Sequence, residues 1–594
     1  MVRPGSRLFI GSYAAAPLAL VDSLLNQADS LVDVELVHQC TLGRTPWIEA
    51  KLDGHLNANS LFPSPAVCEA NAAGRADYTP AYGFEIPSLF RHRVLGIDVA
   101  LIQVTPANKA GRCSLGVTCD ITRAAVDTAD LVIAQVNPRL PRTCGETEIE
   151  WSRCAVHLAQ EEPLPEFVAP APTAIEQRIA EYVALLVEDE STLRLGSTAP
   201  AAALANALSD RKNLGIHTDR FDDALLALIE CGAVTNKRKG QHNGESIAAY
   251  AVGSTRLYDW LDGNRKVRFR PSDYVNHPAT IALNRRMVAL SGAQQVDLTG
   301  QVANDPPGHR FTGGFGGQTD FLRGAALCPD GRPIVALPST NADGSSRLVA
   351  DLAPGSGIVA SRGDVHYVVT EYGIATLRGR SIRERALELV QVAHPDHRAD
   401  LLAVAKARTW VPVHEKLPPS VVTGVAGISA QKIVLKTEPY VLRPLQPSDE
   451  RRLQEFFYSH TQETIQSRYG YMVSRMTRER AYELVNVDQT KDLALTLVEV
   501  QGPREVLHAV GRYYLDPDGK SAEVAFVTRE TKRHCGLARA LFDRMRAIAK
   551  KRGLASVHAQ VLPENEAMLS LFRSYKHKLA RVAGSSAVEV EMPL

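Results

Sequence analysis

The densest group of chemically suggestive residues is Thr312-Gly-Gly-Phe-Gly-Gly-Gln-Thr-Asp320. Glycine lets backbone N–H groups approach a ligand with no Cβ in the way, so such a loop suits an oxyanion site or a phosphate cradle. A tight structural turn is the competing reading. A dinucleotide fingerprint is excluded, because Gly314-x-Gly316 is followed by Thr319 where a third glycine would stand. The chain also lacks a Walker lysine motif and a Gly-x-Ser-x-Gly elbow. A second glycine turn, Arg533-His-Cys-Gly-Leu-Ala538, follows the strand-like Glu523-Val-Ala-Phe-Val-Thr-Arg529 and leads into a helical stretch over 539–551. Strand, turn and helix start together expose unpaired N–H groups to a pyrophosphate. Alone, Arg-x-x-Gly-x-Ala also arises by chance.

These groups need a scaffold, and the pattern around them is α/β. Arg7 to Ile10, Asp33 to Val37, Val99 to Val104 and Leu131 to Gln135 read as strands, with amphipathic stretches such as Leu18 to Gln27 between them. Prolines crowd residues 161–173, which predicts a linker, with a helix from Ala174 to Glu188 after it. A second alternating region runs to about residue 410, and a further junction falls at Pro412 to Lys436. The expected organisation is two α/β halves of similar character, 1–160 and 174–430, followed by a further domain over 438–594 that opens with a strand and a helix.

Bulk composition narrows the function class. A chain of 594 residues exceeds one core. With 67 Lys plus Arg against 66 Asp plus Glu, no global field favours nucleic acid or an anionic membrane. The 9 cysteines are scattered, without CxxC or zinc spacing, so they read as reduced thiols, and no metal site is expected. Arg3, Arg7 and the apolar Leu8 to Val21 have a faint secretory look, but Gly11, Ser12 and Pro17 interrupt the run and a first buried strand fits better. No other window reaches the ~18 apolar residues of a membrane span. A soluble, cytoplasmic chain is expected.

Longer strings carry a resemblance. Gly313-Gly-Phe-Gly-Gly-Gln-Thr-Asp-Phe321, Ile334-Val-Ala-Leu-Pro-Ser-Thr340, Gly363-Asp-Val-His-Tyr-Val-Val-Thr-Glu-Tyr-Gly373 and Ser381-Ile-Arg-Glu-Arg-Ala386 resemble the acetyl-CoA hydrolase/CoA-transferase family. Ala76-Asp-Tyr-Thr-Pro80, Asp98 to Pro106, Ala134-Gln-Val-Asn-Pro138 and Leu214-Gly-Ile-His-Thr218 follow the family's order, so the likeness spans roughly residues 5 to 410. The chain starts about one helix late against that pattern. The resemblance implies a pair of open α/β domains with the site between them, and a carboxylate that attacks an acyl-CoA thioester and passes coenzyme A to another carboxylate. It assigns Gly316 and Gly317 to the oxyanion and sets Gly313, Gly314 and Gln318 against the cofactor.

Several positions depart from the pattern. The family's nucleophilic glutamate follows the His-Thr pair, where this chain has Asp219. A methylene shorter, Asp219 still attacks, activates a water so that hydrolysis replaces transfer, or is inert; water activation is the favoured outcome. The turn Leu195-Gly-Ser-Thr-Ala-Pro200 has fewer glycines than the family, and Asp222-Asp223-Ala224 replaces Ser-Asp-Gly. Glu371 is a rival carboxylate, with a structural role the stronger reading. His217 and His366 are either general acids or packed histidines. The runs Lys237 to Lys239 and Lys550 to Arg552 either attract the 3′-phosphate of coenzyme A or are solvated faces.

In the last domain the glycine turn is followed by the strand Ser556 to Val561, then Glu564-Asn565-Glu-Ala-Met568 and a helix, which resembles the GNAT acetyltransferases. That resemblance implies acetyl-CoA bound across Arg533, Gly536 and Ala538, Glu523 as the base, and Asn565 either facing the cofactor or capping the helix. Tyr575 is a candidate acid for the leaving thiolate. The overall expectation is a bifunctional enzyme with coenzyme A or acetyl-CoA as substrate. A small carboxylate or water is the acceptor in the body, an amine or protein lysine the acceptor in the tail, and a homodimer is an open option. The alternative is a silent acyl-CoA-binding body that acts as a sensor for a protein-lysine acetyltransferase.

Overall fold

The computed structural model describes residues 2–49, 52, 54–196, 201–305, 311, 313–314, 316–411, 413, 431–445, 449–469, 475–485, 487, 489, 491–501, 504–581 and 587–594. Thr312, Phe315, residues 197–200 of the glycine-poor turn and most of the 412–436 junction lie outside this set. The chain divides into two compact units, Met1–Pro418 and Pro419–Leu594.

The first unit holds two large sheets. One has seven parallel strands in the order Val156–Ala159, Leu131–Val136, Val99–Val104, Arg7–Ile10, Val34–His38, Leu56–Ser60, Ala76–Tyr78. Its inner strand Val99–Val104 is buried at every residue, as in a parallel sheet covered on both faces, while the edge strand Val156–Ala159 is largely exposed. Along Arg7–Ile10, Leu8 and Ile10 enter one core while Phe9 enters another, the twofold alternation of a strand.

The other sheet has nine strands: Gly373–Thr376, Tyr367–Thr370, Arg332–Ala336, Met287–Gly292, Thr192–Arg194, Gly215–Phe221, Ser246–Ala251, Val267–Phe269, Cys144–Gly145. All neighbours are parallel except the closing hairpin of Tyr367–Thr370 with Gly373–Thr376. One strand crosses the proline-rich stretch. Cys144–Gly145, which precedes it, forms the far edge of this second sheet. Gly145 has φ +114, and a Cβ there would lie 2.1 Å from the Phe269 carbonyl oxygen, so only glycine allows the pairing. No helix or strand occurs from Gln160 to Thr173. The helix Ala174–Leu185 then starts on a capping box, in which Thr173 and Glu176 exchange hydrogen bonds.

The second unit is an α+β layer built on an eight-stranded sheet. Its strands pair antiparallel except Ser521–Thr528 and Ser556–Val561, which run parallel and pair only from Ser521 to Glu523 before parting. The helix Leu537–Lys551 lays Leu541, Phe542 and Met545 on the sheet. Among the described residues no helix is long and apolar enough to cross a membrane.

Candidate functional site

In the nine-stranded sheet the chain moves outward on both sides of Thr192–Arg194: through Gly215–Phe221 on one side and Met287–Gly292 on the other. Such a reversal opens a crevice at the carboxyl ends of the strands, where open α/β sheets bind ligands. Arg194 ends the central strand, Asp219 lies near the end of its neighbour and Ser291 near the end of the other.

Arg194 and Asp219 form a buried bidentate ion pair. Arg194 Nε donates to Asp219 Oδ1 and Nη2 to Oδ2, each at 2.9 Å. Arg194 Nη1 donates to the Leu290 carbonyl at 2.9 Å and to Ser291 Oγ at 3.2 Å. Asp219 Oδ1 also accepts from the Arg220 N–H at 3.0 Å. Relative exposures of 6% and 7% leave little water to screen the pair. Burial raises the Asp219 carboxyl, but the adjacent Arg194 guanidinium outweighs it and holds Asp219 below the usual carboxylate range. Removing one partner of such a pair costs about 3–5 kcal/mol.

The glycine segment comes to this carboxylate. Gly316 and Gly317 are the first residues of the helix Gly316–Leu327, where N–H groups lack intrahelical partners and the helix dipole is positive. A Cβ on Gly317 would lie 2.4 Å from Asp219 Oδ2, so helix start and carboxylate are in direct contact. On Gly316 a Cβ would meet the Gly83 nitrogen at 2.8 Å, and on Gly314 the Phe62 ring at 2.6 Å. Gly313 lies farther from that ring, at 3.8 Å. Phe62 and Gly83 follow strands of the seven-stranded sheet, so the site lies where the two sheets' loops meet. Gln318 is held by its side chain: Nε2 donates to the Gly292 carbonyl at 2.9 Å and Oε1 accepts from Asn304.

Around this contact stand groups that sequence reasoning did not single out. Asp320, one turn beyond Gly317, is buried and accepts from Asn276 Nδ2 at 3.2 Å. Burial, reinforced by Asp219, pushes its carboxyl well up. Tyr13 follows the central strand Arg7–Ile10 of the first sheet, the corresponding reversal point, and stacks on Tyr250 of the second sheet at 3.8 Å between centroids. Its φ of 52 is the left-handed conformation, uncommon outside glycine. None of these groups stands in a local pattern that marks it: Arg194 ends the three-residue strand Thr192–Arg194, and its partners are distant in sequence.

The other body candidates have structural engagements. His217 is buried, contacts the Val275 carbonyl through Nε2 at 2.8 Å, and burial lowers it to about 3, so it is a neutral packed ring. Burial likewise lowers His366 to about 4. Glu371 accepts from Ser339 N at 2.9 Å and Ser339 Oγ at 2.6 Å and so anchors that loop. Lys239 corrects the reading of its basic run. Its Nζ is buried on the carbonyls of Ile216 at 2.7 Å and Glu245 at 2.9 Å, and burial lowers it to about 7, while Lys237 and Arg238 are exposed. Among the described residues no group of three or more His, Cys, Asp or Glu is arranged to hold a metal ion.

In the second unit, Gly536 has φ +85 and caps the helix Leu537–Lys551, leaving that helix's first N–H groups open. Ala538 sits in its first turn, packed partly on the core. Arg533 is exposed, with Nη2 donating to Thr464 Oγ1 at 2.7 Å. Glu523 is exposed and pairs with His558 at the last register before the two parallel strands part. Asn565 Oδ1 accepts from the Met568 N–H at 3.2 Å, so its side chain caps the helix Glu566–Arg573. Tyr575 donates its hydroxyl proton to Asp543 at 2.7 Å, and burial together with Asp543 raises it to about 12, which disfavours the acid role.

Models of the acetyl-CoA hydrolase/transferase N-terminal and C-terminal domains match residues 1–170 and 253–405. A succinyl-CoA:acetate/propanoyl-CoA:succinate CoA transferase of Fasciola hepatica is 42% identical over 415 residues, 69% of this chain and 86% of the relative. A 4-hydroxybutyrate coenzyme A transferase of Clostridium kluyveri is 39% identical, covering 68% of this chain and 94% of the relative. The crystal structure of a 4-hydroxybutyrate CoA-transferase from Porphyromonas gingivalis superposes with a TM-score of 0.60 at 34% identity, over 68% of this chain and 94% of that one. The GNAT domain of S. lividans PAT aligns over 28% of this chain and 97% of that one, at 24% identity and a TM-score of 0.26, too low to argue from. Architecture, motif order and these relatives agree for the body, and the chain belongs to the acetyl-CoA hydrolase/transferase family.

Proposed function

We propose that the protein uses acyl-CoA at two separate places, as a thioester hydrolase of the CoA-transferase class in its body and as an N-acetyltransferase in its tail. The observation that carries the body's assignment is the contact between Asp219 and Gly317 at a helix start. There the open N–H groups of Gly316 and Gly317 suit the oxyanion of an attacked thioester. Asp219 takes the proton of a water whose oxygen adds to the thioester carbon. The C–S bond then breaks, the acyl group leaves as carboxylate, and coenzyme A leaves as thiolate and is protonated. Direct attack by Asp219 followed by transfer to a carboxylate, the reaction named for the relatives, requires the shorter side chain to reach farther than a glutamate would.

The tail's assignment is supported by the parted strands, the glycine turn at Gly536 and the helix start beyond it. Acetyl-CoA would lie across that start, and Glu523 at the fork would receive the amine's proton.

A second reading is favoured by the Arg194 pair: a carboxylate engaged through both oxygens is a weak nucleophile and a weak base, so a body that binds acyl-CoA without turnover would serve as a sensor. Purified protein given acetyl-CoA separates these readings. Thiol release without any acceptor supports hydrolysis, release that requires acetate-type acceptors means transfer, and no release leaves the sensor. Gly536→Val should abolish amine-dependent acetyl transfer; persistence of that transfer would refute the tail's assignment.

A further inference from the structure

We propose that Arg194 is a positioning residue that restrains Asp219, slowing every step in which this carboxylate gives up its charge, and so sets the body's turnover. The inference rests on reading the body as a thioester site. In the covalent route an Asp219 oxygen bonds to the acyl carbon, the C–S bond breaks, and the negative charge departs with the thiolate. In the water route the proton taken by Asp219 cancels the same charge. Either way the Arg194 guanidinium is left in a dry interior facing a neutral partner.

Geometry prevents Arg194 from adjusting. Nη1 is fixed by Leu290 O and Ser291 Oγ, the guanidinium lies over the Phe321 ring at 5.2 Å, and a Cβ on Gly196 would come within 2.6 Å of Nη1. On the opposite side Gly317 abuts Asp219 Oδ2. The carboxylate is thus wedged between a fixed cation and a helix start, and it reacts only when the fork opens.

The test measures thiol release from acetyl-CoA by the full chain, without amine, for the native protein, Arg194→Gln and Arg194→Lys. Arg194→Gln, assayed along a pH series because burial without the guanidinium raises the Asp219 carboxyl, is expected to raise kcat by about 100-fold or more on the alkaline limb, where Asp219 is ionised, with little change in KM. Arg194→Lys, which keeps the charge but loses the two-pronged grip, should give a smaller rise. Hydroxylamine treatment followed by mass spectrometry should detect a hydroxamate at Asp219 in the Gln variant if the covalent route opens. Should Arg194→Gln fail to fold, Arg194→Lys decides. Folded variants with unchanged or lower kcat on the alkaline limb would overturn the role of Arg194. Hydrogen exchange over residues 313–327 with and without acetyl-CoA keeps the underlying reading separate: protection with unchanged kcat sinks Arg194 alone, and absence of protection in the native chain sinks the thioester site itself.

Discussion

Gly317 leaves room for Asp219 only because it has no side chain. Gly317→Ala would place a Cβ 2.4 Å from Oδ2, so it should destabilise the first unit by about 1–3 kcal/mol and lower thiol release. Urea denaturation and a thiol assay check this, and a variant with native midpoint and rate would contradict the packing described. Asp120 makes a separate prediction. It is fully buried, accepts from the Thr122 N–H at 3.0 Å, and burial raises its carboxyl to about 6. A raised carboxyl binds its proton more tightly when folded, so its contribution to stability is present below the unfolded pKa of about 4 and is lost as pH rises to about 6. Relative to Asp120→Asn, the native chain should therefore lose on the order of 2–3 kcal/mol across that window. Parallel denaturation series for the two proteins read this difference directly, and a constant offset between them would refute it. At this scale the sequence supplied the glycines and Asp219 through their order along the chain. Arg194 escaped because its partners lie 25 and 96 to 97 residues away, and no local pattern signals such a pairing.

Elements were the most legible scale. Strands expected at Arg7 to Ile10, Val99 to Val104 and Ser556 to Val561 occur with those bounds: the first two are short, mostly apolar runs and the third alternates polar with apolar residues, both strand patterns. Ends were less legible. The helix expected from Ala174 to Glu188 stops at Leu185, and the one expected from Arg539 begins at Leu537, directly after the left-handed Gly536. Its start is set by backbone conformation, which side-chain periodicity does not encode. The start at Ala174 has a local cause in the Thr173 and Glu176 exchange, so Thr173→Ala should cost about 1 kcal/mol of the first unit's stability. A urea midpoint that does not move would show that packing alone holds this helix.

At the scale of the whole molecule, the second unit has a core of its own, with Leu541, Phe542 and Met545 against Leu495, Leu497, Ala509 and Phe526. A fragment of residues 431–594 should therefore unfold cooperatively and bind acetyl-CoA; an aggregated fragment or one without affinity would count against independent folding. The sequence suggests a junction over Pro412 to Lys436, and the two compact units divide between Pro418 and Pro419. The proline-rich stretch at 161–173 reads as a linker and contains no helix or strand, yet it gave no hint that Cys144–Gly145 would reach past it, because a two-residue strand carries no periodicity. That small edge strand has a practical outcome. A protease that nicks the proline-rich stretch would not release two free lobes: the severed pieces would stay clasped, one supplying the last rung of the other's ladder, and would come apart only under denaturant.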